Sequence, residues 1–170
     1  LVRPRGGHFF YKDDELDIML ASIKDVKNLG AKGIVSGALN ADKTIDSEAT
    51  LKLINASGKL PFTFHRAFDE CEEVEASMKL LRSLEVDRIL SSAGLAKASD
   101  DPEKISRIVR LSQPKPRIIC CGGIRSSNIK NLINIPKLVE FHSAASSNIK
   151  GVDPKEVHSI RSQIDKEIEL

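Results

Sequence analysis

Leu60-Pro61-Phe62-Thr63-Phe64-His65-Arg66-Ala67-Phe68-Asp69 is an apolar strand that runs without a break into polar and titratable residues. Its alternation of period two puts Phe62 and Phe64 on one face and Thr63 and His65 on the other. Helices cover the first face of such a strand, and its reactive groups collect at the C-terminal end. That is the arrangement of a parallel α/β sheet or barrel, so function is to be sought at that end.

The same grammar extends in both directions from this strand. Upstream, Asp13 is placed to cap a helix whose apolar residues Leu16, Met19, Leu20, Ile23 and Val26 follow the 3.6 period to a stop at Gly30. A strand through Ile34 and Val35 follows, then a helix capped by Asp46 that runs to Gly58. Downstream come a helix from Glu72 to Leu84, a strand from Val86 to Ser92, and a helix opened by Asp101-Pro102-Glu103. Arg117 to Cys121 reads as the next strand, and Gly122-Gly123-Ile124-Arg125-Ser126 as a turn into a helix capped by Ser126. Leu138 to Ser143 is the last strand. A polar linker, 144–152, leads to a final helix at 153–168 that bears Val157, Ile160, Ile164 and Ile168.

Strand and helix thus alternate about every 25 to 30 residues, the length of a βα unit. An open doubly wound sheet and a (β/α)8 barrel both alternate in this way. The parity that turns Ile89 outward sends Arg88 and Ser92 inward, and the parity of the last strand sends Glu140 and His142 inward. Polar inward positions on separate strands suit the lumen of a barrel better than an apolar interface between helices and a sheet.

Composition narrows the function classes. The 170 residues carry 41% apolar and 29% charged side chains, enough for one domain with a sizeable core, 1–170. A formal charge of +2 and six Phe with one Tyr supply neither the basic footprint nor the stacking platforms of a nucleic-acid binder. No apolar run approaches a membrane span and no signal-peptide pattern is present, so a cytoplasmic location is the expectation. Three cysteines, an odd number, read as reduced thiols rather than a disulfide framework. The opening Leu1-Val2 reads as the tail of a strand.

The chain resembles the CutC copper-homeostasis family of TIM barrels. The likeness is carried by Arg3-Pro4-Arg5-Gly6-Gly7, the Thr63-to-Asp69 run, Val86-Asp87-Arg88-Ile89-Leu90-Ser91-Ser92-Ala93-Gly94, Gly122-Gly123-Ile124 and Val139-Glu140-Phe141-His142-Ser143-Ala144. The resemblance implies a (β/α)8 barrel in which the first two strand-helix units lie before Leu1. It also implies copper, as Cu(I), as the ligand and a homodimer as the assembly. His8 stands where the family usually has an acidic residue, and Cys121 where it usually has a glycine.

The candidate groups fall at C-terminal strand ends. Arg3, Arg5, Arg66, Ser91, Ser92, Gly122, Gly123, His142 and Ser143 are the expected anion-binding residues, the Gly-Gly turn offering backbone N–H groups to phosphate or carboxylate. His65 could act as an acid/base group with Asp69 orienting it. The alternative is that His65 and Asp69 tie loops together and Arg66 is solvated or ion-paired. No inward lysine for a Schiff base and no His-Glu-x-x-His zinc motif is found, so no reaction is specified. Cu(I) prefers soft ligands. Cys120 and Cys121 are adjacent and point to opposite faces of a strand, which leaves Cys121 at the mouth as the metal-ligand candidate.

Overall fold

The computed structural model describes residues 1–146 and 151–168. Among the described residues there are six α-helices: α1 (Asp13–Asn28), α2 (Ser47–Ser57), α3 (Val74–Ser83), α4 (Pro102–Ser112), α5 (Lys130–Ile133) and α6 (Pro154–Ile168). Five short strands, β1 (Ile34–Ser36), β2 (Phe62–Phe64), β3 (Arg88–Ser91), β4 (Arg117–Cys120) and β5 (Glu140–Phe141), form one sheet in chain order. The registered pairs are parallel: Val35 opposes Thr63, Thr63 opposes Arg88 and Ile119 opposes Glu140. Parallel neighbours in sequential order, each joined by a helix, are the expected α/β arrangement.

The chain forms two compact units, Leu1–Ile89 with Ser112–Arg117, and Leu90–Leu111 with Ile118–Leu170. In the first, Ile34, Phe62, Phe64 and Ile89 of the strands and Met19, Ile23, Leu53, Met78 and Leu81 of the helices are buried. Val2 flanks β1, its N–H donating to Val35 O at 2.9 Å. In the second, Ile105, Ile108, Val109, Ile118, Cys120, Ile129 and Leu132 are buried. The alternation of β3 and β4 between buried and half-buried positions follows the period of two read from the sequence.

Local signals decide most helix ends. Asp46 accepts the Ala49 N–H at 2.9 Å and Asp101 the Lys104 N–H at 3.0 Å, the two caps expected from the sequence. Two other ends differ. Lys12, not Asp13, precedes α1, and its N–H is held by the Glu15 carboxylate at 3.0 Å, so Asp13 is already helical. The helix expected from Ser126 is a single turn, Lys130–Ile133, after a turn at 126–129, and the Ser126 hydroxyl is bonded elsewhere. The strand expected over 138–143 is only two residues long. Part of the linker expected over 144–152, residues 147–150, lies outside the described residues, as do the last two residues of the chain.

Candidate functional site

In the first unit, β2 ends at Phe64 and the chain turns at His65 into a 3-10 turn, Arg66–Glu70. His65 Nδ1 accepts the Ala67 N–H at 3.4 Å, closing that turn. The ring is only 3% exposed; it lies 4.6 Å from the Phe9 ring, tilted by 59°, and edge-on to Phe64 at 5.8 Å. Its second nitrogen, Nε2, is buried with no hydrogen-bond partner. Burial, and then the positive charge of Arg3, push the imidazole pKa down to about 4. The ring is therefore neutral at pH 7.

The N-terminal loop covers this histidine. The Arg3 guanidinium stacks on Phe9, 4.2 Å from the ring centroid, while Nε donates to the Tyr11 hydroxyl at 3.2 Å and Nη2 to the Gly7 carbonyl at 2.8 Å. Arg5 is a clamp within its own loop. It grips the Glu15 carboxylate through Nε at 2.5 Å and Nη2 at 3.2 Å, and donates to the carbonyls of Gly6, His8 and Phe10. Its hydrogen bond, with that of the Lys12 backbone, holds the Glu15 carboxyl below the usual range. The fork expected to grip an anion is thus engaged by Glu15 instead.

Asp69 does not orient His65. Nδ1 is taken by the Ala67 N–H, Nε2 has no partner among the described residues, and the Asp69 carboxylate accepts from Arg66 Nε at 2.8 Å, the aspartate nearly buried and the arginine half-exposed. The acid/base dyad read from the sequence is replaced by a histidine that caps a turn and an Arg66–Asp69 pair within it. Phe9 and Tyr11, which hold Arg3 over the site, were not singled out in the sequence. Aromatic residues two positions apart after Gly6-Gly7 were the available signal.

In the second unit, the strand-end serines support loops. Ser91 Oγ accepts the Ala93 N–H at 2.9 Å and Ser92 Oγ donates to Leu95 O at 2.7 Å, both residues fully buried. Gly122 has φ +94°, and a Cβ there would stand 2.8 Å from Ser92 Cβ; Gly123 has φ +62° with Lys97 Cγ 2.9 Å from its would-be Cβ. This turn accepts no side chain. Cys121 is buried beside it and forms no disulfide, its N–H donating to Ser91 O at 3.0 Å, and His142 is exposed. Among the described residues, no three His, Cys, Asp or Glu side chains gather to hold a metal.

One backbone N–H after Gly122-Gly123, that of Ser126, already faces a carboxylate supplied by the chain itself. Ser126 donates its N–H and its hydroxyl to the two oxygens of Glu156, each at 2.7 Å, and Gln163 Nε2 donates to Ser126 O at 3.0 Å. Beside it, Arg125 donates to Ser143 Oγ at 3.4 Å and Ser146 Oγ at 2.9 Å, while the Ser143 hydroxyl donates to Ile124 O at 2.6 Å. Sequence reasoning named Ser143 but passed over Arg125 and Glu156. Glu156 lies 30 residues from Ser126, so no local pattern joins them.

A parallel α/β sheet with its polar groups at the C-terminal strand ends defines a protein of the TIM-barrel type. The native KDPGal structure shares that fold with a TM-score of 0.60 at 12% identity, over 97% of this chain and 70% of its own. The CutC family model matches residues 1–147, and the chain belongs to the CutC family. It is 37% identical over 150 residues to the mouse copper homeostasis protein cutC homolog, covering 87% of this chain and 54% of that protein. The human homologue is 35% identical over 147 residues, covering 86% and 54%. A crystal structure of the putative copper homeostasis protein CutC from Streptococcus agalactiae aligns with a TM-score of 0.76 at 32% identity, over 83% of this chain and 69% of that one. The chain spans little more than half the length of the mouse and human relatives.

Proposed function

We propose that this chain serves copper homeostasis, the process for which its mouse and human relatives are named. The observation that carries the reading is family membership over residues 1–147. Direct binding of Cu(I) is the finer part of the proposal, with Cys121 as its thiolate ligand. A cysteine in no disulfide just past the C-terminal end of β4, beside the Gly122-Gly123 turn, supports it. Titration of the reduced chain with Cu(I) against a competing chelator is the test. Affinity should fall at least tenfold in Cys121→Ser; affinity unchanged in a variant lacking all three cysteines overturns copper binding by thiolate.

A second reading is a barrel enzyme or sensor for a small phosphate- or carboxylate-bearing ligand. It is favoured by the unpartnered, buried Nε2 of His65, within reach of the Arg3 charge. The anion-binding residues proposed with it in the first unit are Arg3 and Arg66. Thermal stabilisation across a panel of phosphate, sugar phosphates and carboxylates tests it, because a ligand that binds the folded chain alone raises its melting temperature. We take residues 1–170 as one domain, cytoplasmic and homodimeric in its assembly. Among the described residues no helix is long and apolar enough to cross a membrane.

A further inference from the structure

His65 has a defined proton. A neutral imidazole carries one N–H, and a backbone amide cannot give up its own hydrogen, so Nδ1, which accepts from Ala67 N at 3.4 Å, is the bare nitrogen. The hydrogen is on Nε2. That nitrogen is therefore a donor, buried, with no acceptor among the described residues. A buried donor left unsatisfied destabilises a fold, and this fold retains one in a residue only 3% exposed.

The charge that acts on the ring is positive. Arg3 is the charged group that acts on the ring, and it is fixed by Tyr11 and the Gly7 carbonyl. Asp69, the nearest acidic residue along the chain, is bonded to Arg66. Phe9 touches both, its ring 4.6 Å from the imidazole and 4.2 Å from the guanidinium carbon. A positive group and an N–H donor that share an aromatic neighbour call for an acceptor carrying negative charge. A metal ion is called for by neither, since Nε2 presents no lone pair.

Resting on the reading of a small anionic ligand, we propose that His65 Nε2–H and Arg3 together bind an oxyanion, a carboxylate or phosphate oxygen, and that His65 is a hydrogen-bond donor rather than a copper ligand or a general base. The ligand oxygen takes the place the Phe9 ring now covers, and Gly6-Gly7 supply the backbone freedom for that loop to yield.

The test uses the full 170-residue chain labelled with 15N-histidine, with inorganic phosphate and succinate as probes in separate arms. The expected spectrum shows His65 protonated at Nε2 at pH 7, with that N–H resonance moved by one of the two probes. His65→Asn keeps an acceptor at the Nδ1 position for Ala67 and lacks the distal donor; His65→Gln keeps a donor at the Nε2 position. Probe affinity should fall at least tenfold in His65→Asn and be partly retained in His65→Gln, with both variants folded by circular dichroism. Protonation at Nδ1, or equal affinity in wild type and His65→Asn, overturns the assignment even where phosphate or succinate binds. Binding of neither probe overturns the assignment and counts against the anion reading itself. Movement by phosphate alone assigns a phosphate-type ligand, and by succinate alone a carboxylate.

Discussion

His65 shows how one residue answers to two constraints. Its Nδ1 closes the turn that follows β2, and the burial this requires lowers its pKa from 6.5 to about 4. The unfolded chain therefore takes up a proton between those values while the folded chain does not. Stability due to this group is complete above about pH 6.5 and declines as pH falls toward 4, by as much as roughly 3 kcal/mol. Urea denaturation across that range should show the wild type losing stability more steeply than His65→Asn; parallel curves would show that the ring titrates alike in both states. Gly122 makes a second residue-scale case. Alanine there meets both a positive φ and the Ser92 Cβ at 2.8 Å, and should cost about 2–5 kcal/mol, read as a lower denaturation midpoint.

At the scale of elements, the departures from sequence expectation share a cause. Helices α2 and α4 begin where a local cap, Asp46 or Asp101, can reach a backbone N–H three residues on. Ser126 has the right chemistry for the same task, but its hydroxyl and N–H are both bonded to Glu156, and α5 is left with four residues. The contact fastens α6 in place, with Gln163 as a further attachment. Glu156→Ala should therefore destabilise the chain by roughly 1–3 kcal/mol and raise hydrogen exchange in α6 before it does so in α4. Equal protection of α6 in wild type and variant would mean that its apolar face, with Ile160 buried, holds it unaided.

For the whole molecule, the strand order β1-β2-β3-β4-β5 leaves β5 as an end strand of two residues. Val139, next to it, is 52% exposed, and Leu1 at the other end of the chain is 82% exposed. A short end strand bordered by an exposed apolar side chain favours pairing between chains. The 170-residue chain should sediment with a mass that rises with concentration. A constant monomer mass across a hundredfold concentration range would count against association through these surfaces and against the proposed homodimer.

The alternation of βα units, the period of two in β3 and the caps at Asp46 and Asp101 were legible in the sequence because each depends on residues a few positions apart, where periodicity and capping chemistry operate. The family was legible for a related reason: short runs such as His-Arg-Ala-Phe-Asp survive as strings. The state of each candidate group was not. Arg5 could have faced an anion and instead meets Glu15; Asp69 could have held His65 and instead meets Arg66; Ser126 could have capped a helix and instead meets a carboxylate 30 residues away. Which partner a charged or polar side chain finds is decided by competition among all groups within hydrogen-bond reach. That set is assembled only when the chain has folded, which is why the sequence determined where chemistry collects, and the tertiary structure alone decided that His65 stands there as a buried donor.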